Sequence, residues 1–95
     1  MFILHPQVAR VPLGQLFATP GVLAEVSATD ISSALARHAM ADWGELDQED
    51  IDENNRALQH GSRLFSSYHS STRVKFWIIT EWDRSVTTVL MPSEY

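Results

Sequence analysis

The chain has 95 residues, 44% apolar and 20% charged, a balance that indicates one small folded domain, residues 1–95, and argues against general disorder. It contains no cysteine, which excludes a disulfide scaffold, a thiolate zinc site and a cysteine nucleophile. The net charge of −5 disfavours a general nucleic-acid binder, whose affinity rests on neutralising phosphates.

We expect no targeting signal in the N-terminal region. Its apolar run at residues 2–4 is too short for a signal peptide and has no basic residues before it, and no later stretch approaches 18 apolar residues. We therefore expect a cytoplasmic protein without membrane contact. Residues 1–18 are expected to be irregular or partly extended, because Pro6, Pro12 and Gly14 interrupt them.

Helices are predicted to begin at residue 19. Thr19 is a suitable N-cap for a short helix that has Pro20 at its first position and ends near Val26. A cap at Thr29 or Asp30 begins a second helix. Its inward face is predicted from an i, i+3, i+4, i+7, i+8 stripe: Ile31, Ala34, Leu35, His38 and Ala39.

The turn Asp42-Trp43-Gly44 should end the second helix. It is either a ligand-facing loop with Trp43 as a stacking platform, or a structural turn in which Trp43 fills the core and Gly44 takes a positive φ.

A third helix is predicted between Asp47, as N-cap with Asp50 at the third position, and Gly61. Its inward face carries Asn54, whose amide must find partners. Asn54 either contacts a substrate or fastens the helix to a neighbouring backbone.

The last third of the chain is predicted to be a meander of three strands rich in β-branched and aromatic residues. The strands are residues 63–69, 74–82 and 86–91. A tight turn at residues 83–84 places Thr80 opposite Thr87 and Ile78 opposite Val89. The predicted fold class is thus α+β, with N-terminal helices packed on one face of a C-terminal three-stranded antiparallel meander.

A specific motif lies near the C-terminus: Thr80-Glu81, one residue, then Asp83-Arg84-Ser85-Val86-Thr87-Thr88. Others accompany it: His38, Asp42-Trp43-Gly44, Asp50, Asn54, Ala57-Leu58, Gly61, Arg63, Ser66, Tyr68, Trp77-Ile78-Ile79, Val89-Leu90, Pro92 and Tyr95. Over about residues 12–95 these motifs resemble a family of small bacterial proteins labelled plasmid-related, or loosely a small restriction-modification subunit. The resemblance implies carriage on mobile DNA, and no established activity. Ala41 departs from it, since glycine is expected before Asp-Trp-Gly.

Polar side chains on the helix stripe and the strands would suit a metal-independent endoribonuclease. Such an enzyme needs a base for the 2′-hydroxyl, an acid for the leaving oxygen and a cation for the phosphorane. His38 or Glu81 would be the base, and Arg63 or Arg84 the cation. The candidate catalytic set is His38, Arg63, Tyr68 and Glu81.

Ribonuclease toxins of the barnase–RelE kind also place helices before an antiparallel sheet, which is an analogy of fold alone. The alternative is structural: a half-buried histidine at a helix end, and polar residues on the solvated face of a sheet.

Acidic side chains are concentrated in residues 41–60, where seven acids accompany one base. This cluster would serve as a partner-binding surface that imitates DNA phosphates; alternatively, the acids stabilise a helix start and face water. The candidate partner-binding residues are Glu45, Glu49, Asp50, Asp52 and Glu53.

We predict first a small mobile-element accessory protein that binds a protein partner through the acidic helix or an exposed sheet edge, and second the ribonuclease. Whether the chain is an enzyme stays open, and nucleic acid is a ligand only under the second hypothesis. The absence of cofactor motifs and paired metal-ligand spacings predicts no cofactor and no metal site. The predicted three-stranded sheet has two open edges, and whether the chain dimerises through one of them stays open. Convergence of His38, Arg63 and one of Tyr68, Glu81 or Thr80 on one cleft, within reach of a single phosphate, would distinguish the enzyme.

Overall fold

The computed structural model of the protein describes residues 10–95 and confirms the α+β class. The elements in chain order are β1 (Gln15–Ala18), α1 (Pro20–Glu25), α2 (Ala28–Ala39), α3 (Gln48–His60), β2 (Leu64–His69), β3 (Lys75–Thr80), β4 (Val86–Leu90) and a 3₁₀ turn (Pro92–Glu94). The expectations for residues 1–9, including the effect of Pro6, lie outside the described residues. Within residues 10–95, no helix is long and apolar enough to cross a membrane.

Helix ends follow local capping chemistry. The side chains of Thr19, Ser27 and Asp47 each accept a hydrogen bond from the backbone N–H three residues later, which satisfies a donor that the helix itself leaves free. The caps at Thr19 and Asp47 are those predicted. The cap of α2 is Ser27, so the predicted start of that helix was too late. Gly61 ends α3 in the left-handed region, at φ 73°, as predicted.

The sheet corrects the predicted topology, because it has four strands in the order β1-β4-β3-β2 and is mixed. β2, β3 and β4 form the predicted antiparallel meander, and Thr80 faces Thr87 while Ile78 faces Val89. The added strand β1 pairs parallel with β4, with Gln15 beside Val86. Its four residues have no strong local strand pattern, and a partner about 70 positions away holds them extended.

The helices divide their packing between a face and an edge of the sheet. α1 and α2 bury their apolar stripes over one face, which we call the covered face, and each large apolar side chain buried there contributes about 1.5–3 kcal/mol. That core consists of Val22, Val26, Ile31, Ala34, Tyr68, Phe76, Ile78 and Val89. A second cluster lies between α3 and β2: Val11, Trp43, Ala57 and Leu64.

The other face of the sheet, which we call the open face, carries the alternate side chains of the strands. Its central residues are Phe65, Trp77, Ile79, Thr88 and Leu90. In the described part of the chain, the residues that follow β4 approach this face: Tyr95 meets Trp77 edge to face, with ring centroids 5.9 Å apart. The α-helices leave the centre of the open face free for other contacts.

Candidate functional site

His38 is fully buried and belongs to a hydrogen-bonded row that crosses the sheet. Its Nδ1 lies 2.5 Å from Ser66 Oγ on β2, and its Nε2 lies 2.8 Å from Thr80 Oγ1 on β3. Thr80 Oγ1 lies 2.7 Å from Thr87 Oγ1 on β4, which donates to the Leu13 carbonyl oxygen at 2.7 Å. We call these five residues the polar row.

The last bond of the polar row determines the direction of all the others. Because Thr87 gives its proton to a carbonyl, its oxygen accepts from Thr80, and Thr80 in turn accepts from His38 Nε2–H. Nδ1 is then the acceptor for the Ser66 hydroxyl. The imidazole is therefore neutral and confined to one tautomer.

The electrostatics of His38 agree with this assignment. Burial, with a smaller contribution from the positive charge of Arg84, lowers the pKa of His38 to about 4. The Ser66–His38 pair has the composition of a nucleophile and its base, but both side chains are inaccessible. In this structure His38 joins α2 to two strands and has no path to a substrate.

Tyr68 is also buried on the covered face. Its hydroxyl donates to the Asp42 carbonyl at 2.6 Å, and the Arg37 guanidinium stacks over its ring at 4.9 Å. Burial raises the pKa of Tyr68 to about 12, which is unsuitable for proton transfer near neutral pH.

Arg63 and Glu81 lie on the opposite side of the sheet from His38. The Arg63 Nη2 lies 3.2 Å from Glu81 Oε1, and its Nη1 donates to the Tyr95 hydroxyl at 3.0 Å. The structure thus brings Arg63 and Glu81 together on the open face, and His38 and Tyr68 under the helices. The four candidate catalytic residues do not share a cleft.

Arg84, the other candidate cation, is committed to backbone carbonyls. Its guanidinium donates to Ser62 O at 2.6 Å and to Ala57 O at 3.0 Å, both at the C-terminal end of α3. A positive charge there also complements the helix dipole. Arg84 therefore fastens the β3–β4 turn to α3.

Of its two predicted roles, Asn54 has the structural one: it fastens α3 to a neighbouring backbone. Its side-chain nitrogen donates to the Phe65 carbonyl, and its side-chain oxygen accepts from the Phe65 N–H at 3.1 Å. One amide thus satisfies both outward backbone groups of a β2 residue. Trp43 likewise fills the core, and its Nε1 donates to Asn55 Oδ1 at 3.0 Å.

The five candidate partner-binding acids are all exposed but do not form one surface. Helical spacing puts Glu49, Asp52 and Glu53 on the side of α3 opposite the buried Asn54. Asp50 and Glu45 lie on another side, at the border of the open face. Of the acids in residues 45–53, those that line a concave surface are therefore Asp50, Glu45 and the capping Asp47, whose role as a lining residue the sequence pattern did not indicate.

The concave surface is a groove made of three adjoining depressions on the open face. The central one, of about 270 Å³, lies among Phe65, Trp77, Ile79 and Tyr95. A second, of about 350 Å³, extends it to the acids at the start of α3. The third, of about 200 Å³, extends it past Arg63 and is lined by Glu81, Thr88, Leu90, Glu94 and Tyr95.

One polar group in this groove stands out. Ser67 lines the depression beside the α3 acids, and its hydroxyl is buried without a hydrogen-bond partner among the described residues. Leaving such a group unsatisfied costs about 1–3 kcal/mol.

Within residues 10–95, no three His, Cys, Asp or Glu side chains are grouped so that they could hold a metal ion. Comparison with protein-family models, curated proteins and solved structures found no match to this chain.

Proposed function

We propose that this chain is a small accessory protein that binds a protein partner in the open-face groove, and that the bound segment carries apolar side chains together with lysine or arginine. The observation that carries the proposal is an aromatic groove that the α-helices leave uncovered, with an acidic rim at both ends.

The aromatic floor supports a protein ligand. Phe65 and Trp77 meet edge to face with ring centroids 4.9 Å apart, and Tyr95 extends the set. Large, rigid aromatic side chains in a concave surface are the usual energetic centre of protein interfaces, because they bury much apolar area at low entropic cost. The three depressions share lining residues, so together they extend from β2 across β3 to β4.

The charge of the rim supports a basic segment. Five acids line the groove against two bases, Arg63 and Lys75. Arg63 and Glu81 are paired with each other, which leaves four acids against Lys75. The resulting negative potential attracts a cationic partner and repels phosphates, so stacked single-stranded nucleic acid is disfavoured.

The resemblance to plasmid-related proteins supports a mobile element as the setting in which the partner is met. The ribonuclease hypothesis has no comparable support, because its base and cation lie on opposite faces of the sheet.

A random peptide library displayed on phage and selected against the purified protein tests this proposal. We expect the selected peptides to combine lysine or arginine with apolar residues. The pair of substitutions Glu45→Lys and Asp50→Lys at the rim should abolish the selection. The matched pair Glu49→Lys and Asp52→Lys makes the same change of charge on the outer side of α3 and should leave it intact.

Binding of a selected peptide to the Trp77→Ala variant should be at least about tenfold weaker, as expected for loss of about 1.4 kcal/mol at an aromatic anchor. Circular dichroism establishes that each variant is folded. Loss of binding with the outer pair alone would move the site to the outer side of α3. Failure of the folded protein to select any peptide, or selection of acidic ones, would refute the proposal.

A further inference from the structure

We propose that β1 pairs antiparallel with β1 of a second copy of this chain, with the twofold axis at Phe17, so that two four-stranded sheets become one of eight strands. This inference concerns the sheet edge and does not depend on the groove.

The backbone of β1 leaves a row of groups free at the sheet edge. Gln15 N–H donates to Ser85 O at 2.9 Å and Thr19 N–H donates to Val89 O at 3.0 Å, so residues 15, 17 and 19 direct their backbone groups toward β4. In a parallel pair the intervening residues point away. The N–H and C=O groups of Leu16 and Ala18 therefore face outward, and no strand within residues 10–95 pairs with them.

Symmetry restricts how this edge can meet its own copy. A twofold axis that relates two antiparallel edge strands stands perpendicular to the sheet, so one residue must lie opposite itself. With Phe17 on the axis, Leu16 lies opposite the second copy's Ala18 and exchanges two hydrogen bonds with it, and the reverse pair adds two more. All four outward groups of each copy are then satisfied.

The neighbouring register, with Leu16 on the axis, is poorer. It places Ala18 opposite the second copy's Gly14, and Gly14 has φ 64°, which takes it out of extended backbone. The outward groups of Ala18 would then lack a regular strand partner. Backbone geometry thus selects Phe17 as the axial residue.

The side chains of β1 agree with self-pairing. Leu16 is 52% exposed and Phe17 is 50% exposed, and β1 contains no charged residue and no proline. Edge strands of proteins that stay monomeric are usually protected by such residues. In the proposed register Phe17 meets its own copy on one face, and Leu16 meets Ala18 on the other, so apolar residues oppose apolar residues.

This fit to itself is the reason for assigning the edge to a second copy rather than to a foreign strand. The strand is short, so the buried area falls at the low end for specific interfaces, and we expect dissociation in roughly the micromolar range.

Because the chain has no cysteine, single cysteines introduced into the full chain report the register. A residue opposite itself in a non-hydrogen-bonded antiparallel pair has its Cα about 4.5 Å from its counterpart, within reach of a disulfide. We expect Phe17→Cys to form a covalent dimer under mild oxidation. Leu16→Cys should not, because the Cα atoms of the two copies of residue 16 would be roughly 9 Å apart. Trp82→Cys, at another exposed aromatic position, controls for random collision.

Sedimentation of the wild type over a concentration series should show a monomer–dimer equilibrium. Phe17→Lys and Phe17→Glu place like charges on the axis and should each be monomeric, and an equimolar mixture of the two should recover the dimer. Trp82→Lys should leave the wild-type equilibrium unchanged. Thermal melts monitored by circular dichroism verify that the variants are folded.

Preferential cross-linking of Leu16→Cys would overturn the register. A wild type that stays monomeric at about 1 mM, far above the expected dissociation constant, would overturn the proposal itself. So would folded axial variants that dimerise as the wild type does.

Discussion

The two edges of the sheet are treated in opposite ways. At the β2 edge, the outward groups of Phe65 are bonded to the Asn54 amide, and those of Ser67 are bonded to backbone: Ser67 N–H donates to Trp43 O at 3.2 Å, and Glu45 N–H donates to Ser67 O at 2.7 Å. At the β1 edge, the described residues bond none of the corresponding groups.

The difference shows that a small α+β domain can close one edge of its sheet with polar groups and leave the other edge unpaired. The helix α3 and the segment before it lie beside β2, so their polar groups are used to close that edge. The short helix α1 follows β1 directly and packs on the covered face, which leaves the backbone of β1 accessible. One edge thus contributes to stability, and the other is available for pairing.

Proline substitution should give the largest contrast between the two edges. Ser67→Pro removes an N–H that bonds to Trp43 and should lower the free energy of unfolding by about 3 kcal/mol or more. Leu16→Pro removes an outward N–H and should cost less than about 1 kcal/mol in the monomer. Urea denaturation at low protein concentration measures both. Equal costs would mean that a further segment covers the β1 edge.

Acid should weaken the polar row, which runs from β2 toward the residues that precede β1. The unfolded chain has an ordinary histidine pKa of 6.5, whereas the folded chain has about 4 for His38. Between these values the unfolded state binds more protons, so stability falls as the pH drops below 6.5 and levels off below about 4. The loss between pH 7 and pH 4.5 should be about 2.5 kcal/mol.

The measurement is the free energy of unfolding in urea at a series of pH values. A His38→Gln variant is the control: less stable than the wild type at pH 7, it should lose most of the pH dependence between 6.5 and 4.5. An equally steep dependence in this variant would show that other groups are responsible.

Asn54→Ala should open the β2 edge at one residue. It leaves the Phe65 N–H and C=O without their partner, and we expect a loss of about 2 kcal/mol, which urea denaturation would detect. The matched control is Gln59→Ala on the exposed side of the same helix, which should change stability by less than about 0.5 kcal/mol. Similar values for both variants would argue against the role of Asn54.

The smallest expected effect concerns the turn before residues 43–45, which bond to the β2 edge. Ala41 has φ 63°, a left-handed conformation that costs an L-residue roughly 1 kcal/mol and glycine little. Ala41→Gly should therefore raise the unfolding free energy by about 0.5 kcal/mol, since the greater freedom of glycine in the unfolded chain offsets part of the gain. A decrease would show that the methyl group contributes packing that outweighs the strain.

Much of the fold was predictable because its determinants are local. The caps at Thr19 and Asp47, the stop at Gly61 and the register around the turn at 83–84 depend on residues within a few positions of each other. β1 was not predictable in the same way, since nothing within residues 15–18 indicates a parallel partner such as Val86.

The candidate site was only partly predictable, and the missing step was the alternation of side chains along a strand. On the predicted strand 63–69, Arg63 and Tyr68 are an odd number of positions apart, and Thr80 and Glu81 are adjacent on the predicted strand 74–82. Since side chains alternate between the two faces of a sheet, the members of each pair must lie on opposite faces. That reasoning separates the catalytic candidates from sequence alone. The covering of the β2 edge by Asn54 and the commitment of Arg84 to α3 carbonyls need three-dimensional contacts.

The parallel pairing of β1 with β4 also affects how the protein is made. During synthesis residues 15–18 leave the ribosome long before residues 86–90, and closing a loop of about 70 residues carries an entropic cost that local contacts do not repay. The inward backbone groups of β1 therefore stay without their partner strand until β4 has been translated and released from the exit tunnel. Folding of this sheet is expected to be completed only after that point, and a chaperone that shields the early segment would raise its yield.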